Sequence, residues 1–96
     1  MRIIYSLRAK EDLSLLLQYY QDIRQLKAGR KIRARLILTA AKLRDFPQLG
    51  KKDEDFSVKY KFFCRSLVCD NHKIIYRYEE DEQVTILRFF DNRQGV

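Results

Sequence analysis

Apolar positions set the outline of this chain. Arg2 to Tyr5 is a short apolar run, long enough for one strand. Ser6 follows and is able to cap a helix starting near Leu7. Leu13, Leu16, Leu17 and Tyr20 then recur at i, i+3, i+4 and i+7, which is one helical face. That helix is expected to run to about Arg24 or Gln25, with Lys27-Ala28-Gly29 as a corner. A second helix is expected from Arg30 to Asp45, its apolar face made by Ile32, Leu36, Thr39/Ala40 and Leu43. Phe46-Pro47 ends it, because proline has no amide to donate and restricts the residue before it. Two helices joined so closely pack as an antiparallel hairpin.

Gln48 to Asp55 is polar, contains a glycine and reads as a loop. Strand patterns follow at Ser57–Phe63, Arg65–Cys69, Lys73–Glu79 and Gln83–Phe90, with turns at Asp70-Asn71 and Glu80-Asp81-Glu82. The first two of these segments could also form one strand with a bulge. The expected fold is α+β, in the order β-α-α-β-β-β(-β), with the hairpin packed on one face of an antiparallel sheet. Phe62-Phe63 and Phe89-Phe90 come as adjacent pairs, so on strands each pair sends one ring to either face. A sheet apolar on both faces needs a second cover, and that face is the natural place for a site or a partner.

Composition narrows the class. The 96 residues are 46% hydrophobic, which suits one globular domain spanning 1–96. Charges interrupt every apolar stretch, so no membrane span is expected. The opening Met1-Arg2-Ile3-Ile4-Tyr5 turns polar too early for a signal peptide, and a cytoplasmic location is the expectation. Cys64 and Cys69 lie an odd number of residues apart, hence on opposite faces of a straight strand, and are expected to be free thiols. Two thiols and the lone His72 are too few for a zinc site, so neither metal nor cofactor is expected.

The charge is unevenly spread. Residues 1–50 carry eleven Lys/Arg against four Asp/Glu, the whole net charge of +7, while residues 51–96 carry nine of each. Most of the excess falls between Arg24 and Arg44, which favours an acidic partner such as nucleic acid, ribosome or acidic polypeptide.

Four motifs add a resemblance. Ile4-Tyr5-Ser6-Leu7-Arg8-Ala9 with Asp12-Leu13 is similar to the aromatic-Ser-x-x-Ala-x-x-Asp-Leu run that opens ParE/RelE family toxins. Leu43-x-x-Phe46-Pro47-x-x-Gly50 resembles that family's helix exit. Arg65-x-Leu67-Val68 leading to Lys73-Ile74-Ile75-Tyr76-Arg77 resembles two of its strands. Val84-x-Ile86-Leu87-Arg88, then Asp91-x-Arg93-Gln94, resembles its closing strand and basic end. Together they extend over nearly the whole chain, in the family's order.

The resemblance implies a toxin of a type II toxin–antitoxin system, neutralised by a cognate antitoxin that covers the second sheet face. Two mechanisms are implied: inhibition of DNA gyrase by binding, or ribosome-dependent cleavage of messenger RNA. A member that has lost toxicity and persists as a binding module is the further alternative. RNA cleavage needs a base, an acid and cations around the phosphate. Lys73 and Arg93 occupy the positions implied for that work, supported by Arg77 on the face of Lys73 and by Arg65 on the preceding strand. The bland alternative makes all four solvated cations or salt-bridge partners of the antitoxin. His72 alternates with Lys73 and so shares the face of Ile74, Tyr76 and Tyr78, a packed position. His72 and Asp91 stand where the family usually has tyrosine and histidine, and Val96 follows Arg93 by three residues, without the C-terminal tyrosine segment of RNA-cleaving members. The missing segment and its absent tyrosine tilt the expectation toward gyrase.

Overall fold

The computed structural model describes residues 1–80 and 82–94, Gln94 by its backbone only. Its elements are strand β1 (Arg2–Tyr5), helices α1 (Leu7–Asp22) and α2 (Leu26–Ala41), a 3-10 turn (Lys42–Arg44), strand β2 (Lys51–Lys52), helix α3 (Glu54–Tyr60), strands β3 (Arg65–Cys69), β4 (His72–Glu79) and β5 (Gln83–Asp91), and a closing 3-10 turn (Asn92–Gln94). The sheet order is β1-β5-β4-β3-β2. Strands β3 to β5 form the expected antiparallel meander; β2 lengthens it, pairing antiparallel to β3 from within the segment Gln48–Asp55 expected as a loop, and β1 joins the other edge parallel to β5.

Ser6 caps α1 as anticipated, its hydroxyl accepting from the Ala9 amide at 3.0 Å. The hairpin then lays Ala9, Leu13, Leu16, Leu36, Ala40 and Leu43 on Ile74, Tyr76, Val84, Ile86 and Phe89 of the sheet. The corner lies earlier than Lys27-Ala28-Gly29. Arg24 turns the chain with φ of 58°, and α2 has begun by Leu26. Gly29 is buried inside α2, where a Cβ would stand 2.6 Å from the Cβ of Tyr20. Glycine is there for the close approach of two helices, not for a turn.

The segment Ser57–Phe63 is not a strand. Asp53 caps a helix over Glu54–Tyr60 by accepting from the Phe56 amide at 2.9 Å, and Lys61 ends it with φ of 63°. Glu54 and Asp55 in the first turn and Lys59 in the last suit the helix dipole. Phe56 is buried against Cys64, Ile75 and Phe90, so α3 covers part of the second sheet face. That cover belongs to the chain itself, which corrects the expectation that a partner alone supplies it. Phe89 and Phe90 do point to opposite faces. Phe62 and Phe63 lie in the connection after α3: Phe62 stacks on Tyr60, and Phe63 is exposed.

Tyr76 pins the loop that follows the hairpin. Its hydroxyl donates to the Pro47 carbonyl and accepts from the Gly50 amide, both at 2.8 Å. Cys64 and Cys69 are free and pack on opposite faces of the sheet, as their spacing suggested. Among the described residues no helix is long and apolar enough to cross a membrane. The turn expected at Glu80-Asp81-Glu82 lies partly outside the described residues.

Candidate functional site

The site grows from the point where β1 stops. Its register with β5 ends at Tyr5 and Ile86, and β5 continues to Asp91 with that edge uncovered. Unpaired carbonyls and amides on a sheet edge need partners. Ser6 supplies the first, donating from its amide to the Ile86 carbonyl at 2.9 Å and from its hydroxyl to the Leu87 carbonyl at 3.0 Å. Asp12, one and a half turns into α1, accepts from the Phe89 amide at 2.9 Å. Leu87 is skipped by the β4 ladder, which pairs Ile75 with Arg88 but Tyr76 with Ile86. The bulge re-aims the strand, and Arg88 reaches Asp12 with Nε–Oδ2 at 2.8 Å and a second bond of 3.1 Å. Both side chains are buried, at 8% and 6% exposure, so each charge depends on the other.

Beside this pair lies a cavity of about 300 Å³ between α1 and the ends of β4 and β5. Arg8, Leu15 and Tyr19 of α1 line one wall, and His72, Asp91 and Arg93 the other. His72 stands opposite Asp91 in the ladder and is 5% exposed. Its Nδ1 has no hydrogen-bond partner among the described residues. Burial pushes its pKa down, and the carboxylate of Asp91 only partly opposes this. Neutral imidazole is therefore the resting form. Arg93 forks onto Asp91, Nε–Oδ1 at 3.0 Å and a second N–O contact of 2.8 Å, and its amide donates to Oδ1 at 2.9 Å. The hydrogen bonds from Arg93 hold the Asp91 carboxyl below its ordinary range, and the same bonds raise the pKa of the guanidinium.

The four cations singled out by sequence do not assemble. Lys73 pairs with Val68 and Phe90, on the α3 face, and its Nζ lies 3.5 Å from Asp53 Oδ2. Burial raises the Asp53 pKa, but the Phe56 amide, Ser66 and Lys73 outweigh it and the net direction is down. Arg77 shares that face by alternation and stacks over the Phe62 ring at 4.5 Å. Arg65 pairs with Tyr76, hence on the hairpin side; it donates to the Gly50 carbonyl at 2.8 Å and lies over the Phe63 ring at 5.1 Å. Arg93, bound to Asp91 opposite His72, also belongs to the hairpin side. Lys73 and Arg93 thus sit on opposite faces of the sheet.

Asp12, Arg88, Asp91 and Asp53, the residues that organise these two faces, were not among the predicted site residues. Arg88 carried a usable signal. A single cation inside the apolar string Val84–Phe90 must either leave the sheet or find a buried anion. Which anion it finds is a matter of tertiary contact.

Comparison with known proteins gives two findings. The family model described as the ParE toxin of type II toxin-antitoxin system, parDE, matches residues 3–95. Among solved structures, the fold is similar to a chain described as the chromosomal ParDE TA system from P. aeruginosa, with a TM-score of 0.77 and 16% sequence identity, over 95% of each chain. No curated protein matches.

Proposed function

Since this chain belongs to the ParE toxin family of type II toxin–antitoxin systems, we propose that it inhibits DNA gyrase by binding and cleaves no RNA itself. The observation that carries this reading is the separation of Lys73 from Arg93. Acid–base catalysis on a phosphodiester needs its base, acid and cations within hydrogen-bond reach of one reacting group. Here the two implied cations face opposite sides of the sheet, and each already holds a carboxylate, Asp53 for one and Asp91 for the other. Arg65 and Arg77 are turned onto Phe63 and Phe62. These four cations, engaged in contacts of the fold rather than gathered around one point, support a binding mechanism.

The partner in the resting state is a cognate antitoxin. Leu15 and Tyr19, 54% and 53% exposed beside the cavity, offer it an apolar anchor next to the Arg93–Asp91 fork. This face replaces the second sheet face, which α3 partly fills, as the surface the antitoxin covers.

The test is a supercoiling assay with purified gyrase and the purified chain, run beside a cell-free translation reaction. Inhibited supercoiling with intact message is the expected result. Message cut in the ribosome with supercoiling undisturbed would overturn the reading. Induced expression without the antitoxin is expected to stop growth; normal growth at good yield would point to a non-toxic binding module instead.

A further inference from the structure

The cavity and the α3 face leave one large feature unused, which is the outer surface of α2. Between Arg24 and Arg44 the chain has eight Lys/Arg and no Asp/Glu. Seven of those eight make no ion pair among the described residues; Arg35 alone does, to Asp70 at 2.7 Å. All eight are exposed. The surface therefore concentrates positive charge of which, among the described residues, only that of Arg35 is met by a carboxylate.

The arrangement is ordered. Gly29, Leu36 and Ala40 mark the buried side of α2. At 3.6 residues per turn the opposite side carries Lys27, Lys31, Leu38 and Lys42, with Arg30 on one flank and Arg35 on the other. Ala34 and Ala41 lie between them, so the long cationic side chains stand clear of a low ridge. From Lys27 to Lys42 the ridge extends about 22 Å at 1.5 Å per residue.

We propose that this face of α2 binds the phosphate backbone of duplex DNA, without sequence preference. Charge complementarity selects a polyanion, and the shape selects among polyanions. A helix about 10–12 Å across fits the major groove of B-form DNA, about 12 Å wide, with Arg30 on one flank and Lys31 and Lys42 toward the other able to reach phosphates of both strands. The deep, narrow major groove of an RNA duplex does not admit it. Single strands are held by stacking on aromatic rings, and α2 has none. A protein partner requires a buried apolar core, yet Leu38 is the one large exposed apolar residue of α2. The exposed Leu15 and Tyr19 lie on α1 instead. The hairpin thus divides its labour, one helix for protein and the other for nucleic acid. The inference concerns DNA alone and does not depend on the gyrase reading.

The experiment is fluorescence anisotropy with a labelled, mixed-sequence DNA duplex of about two helical turns, titrated with the full chain between roughly 50 and 200 mM salt. Two triple variants are compared, K27Q/K31Q/K42Q on α2 and the turn that prolongs it and K51Q/K59Q/K61Q elsewhere, which lower the net charge equally. Circular dichroism first establishes that both are folded. The α2 variant is expected to bind roughly ten-fold more weakly or worse, and to lose about 0.9 from the salt slope for each phosphate contact removed. The other variant is expected to keep the wild-type affinity and slope. Equal losses in both, or no binding by the wild type, would overturn the proposal. So would tighter binding to single-stranded RNA or to polyglutamate than to the duplex.

Discussion

Arg88 is the one charged residue between Val84 and Phe90, and its burial is tolerable because Asp12 receives it bidentately. The pair is weak evidence of net stabilisation, since desolvation offsets most of the attraction. Breaking it is another matter. Asp12→Ala leaves a buried guanidinium and an unpaired Phe89 amide, and is expected to cost about 3–5 kcal/mol in urea denaturation. The double change Asp12→Leu with Arg88→Met removes both charges and is expected to cost markedly less. A single variant as stable as wild type would show that solvent reaches Arg88 after all.

His72 supplies the second prediction at this scale. Its folded-state pKa is lowered because burial disfavours the charged ring, with Asp91 opposing. The unfolded chain therefore binds a proton more readily than the folded one. Stability is full above the unfolded value of about 6.5 and falls as pH drops below it toward the folded pKa. Thermal melts of wild type should lose stability over that window, and His72→Gln should flatten the loss. An unchanged slope in the variant would assign the pH dependence to another group.

Among the elements, α3 is the instructive one. Its seven residues, Glu54–Tyr60, contain Phe56, Val58 and Tyr60, an alternation that imitates a strand. The cap tells otherwise: Asp53 accepts from the Phe56 amide, and two acids occupy the first turn. Only Phe56 of the seven is buried, while Val58 is 77% exposed. A helix with so little apolar face depends on its cap. Asp53→Ala is expected to cost about 0.5–2 kcal/mol and to loosen α3. Amide exchange in Glu54–Tyr60 should speed up more than in α1. Asp53 also carries an acid sensitivity. Its folded pKa is lowered, so its contribution is present above the unfolded value near about pH 4 and is lost as pH falls through the folded one.

At the scale of the whole molecule, the sheet separates residues that the sequence motifs join. Lys73 and Arg93 share a motif-level resemblance to a catalytic set, yet β4 turns Lys73 toward α3 while Asp91 draws Arg93 to the side of α1. The double variant Lys73→Ala with Arg93→Ala is therefore expected to keep inhibiting growth when expressed alone. It should be less stable, because Asp53 and Asp91 both lose a cation. Loss of toxicity at wild-type stability and expression would return these residues to a direct role in the target complex.

Much of this architecture could be read from the amino-acid sequence, because its causes are local. Helical spacing of Leu13, Leu16, Leu17 and Tyr20, the Ser6 cap and the Pro47 stop each act within a turn or two of the chain. The strand alternation that set His72 apart from Lys73 is equally local, and it holds. The tertiary structure decided what locality cannot reach. Gly29 has the local signature of a corner, yet it lies inside α2 because Tyr20 of the neighbouring helix packs against it. The parallel addition of β1, the bulge at Leu87 and the meeting of Asp12 with Arg88 across 76 residues depend on which strand edges lie side by side. Sequence thus determined most of the elements, α3 and β2 excepted, and the charge they carry. Only packing decided which charges meet, because burial forces each cation to the carboxylate that the fold brings within reach.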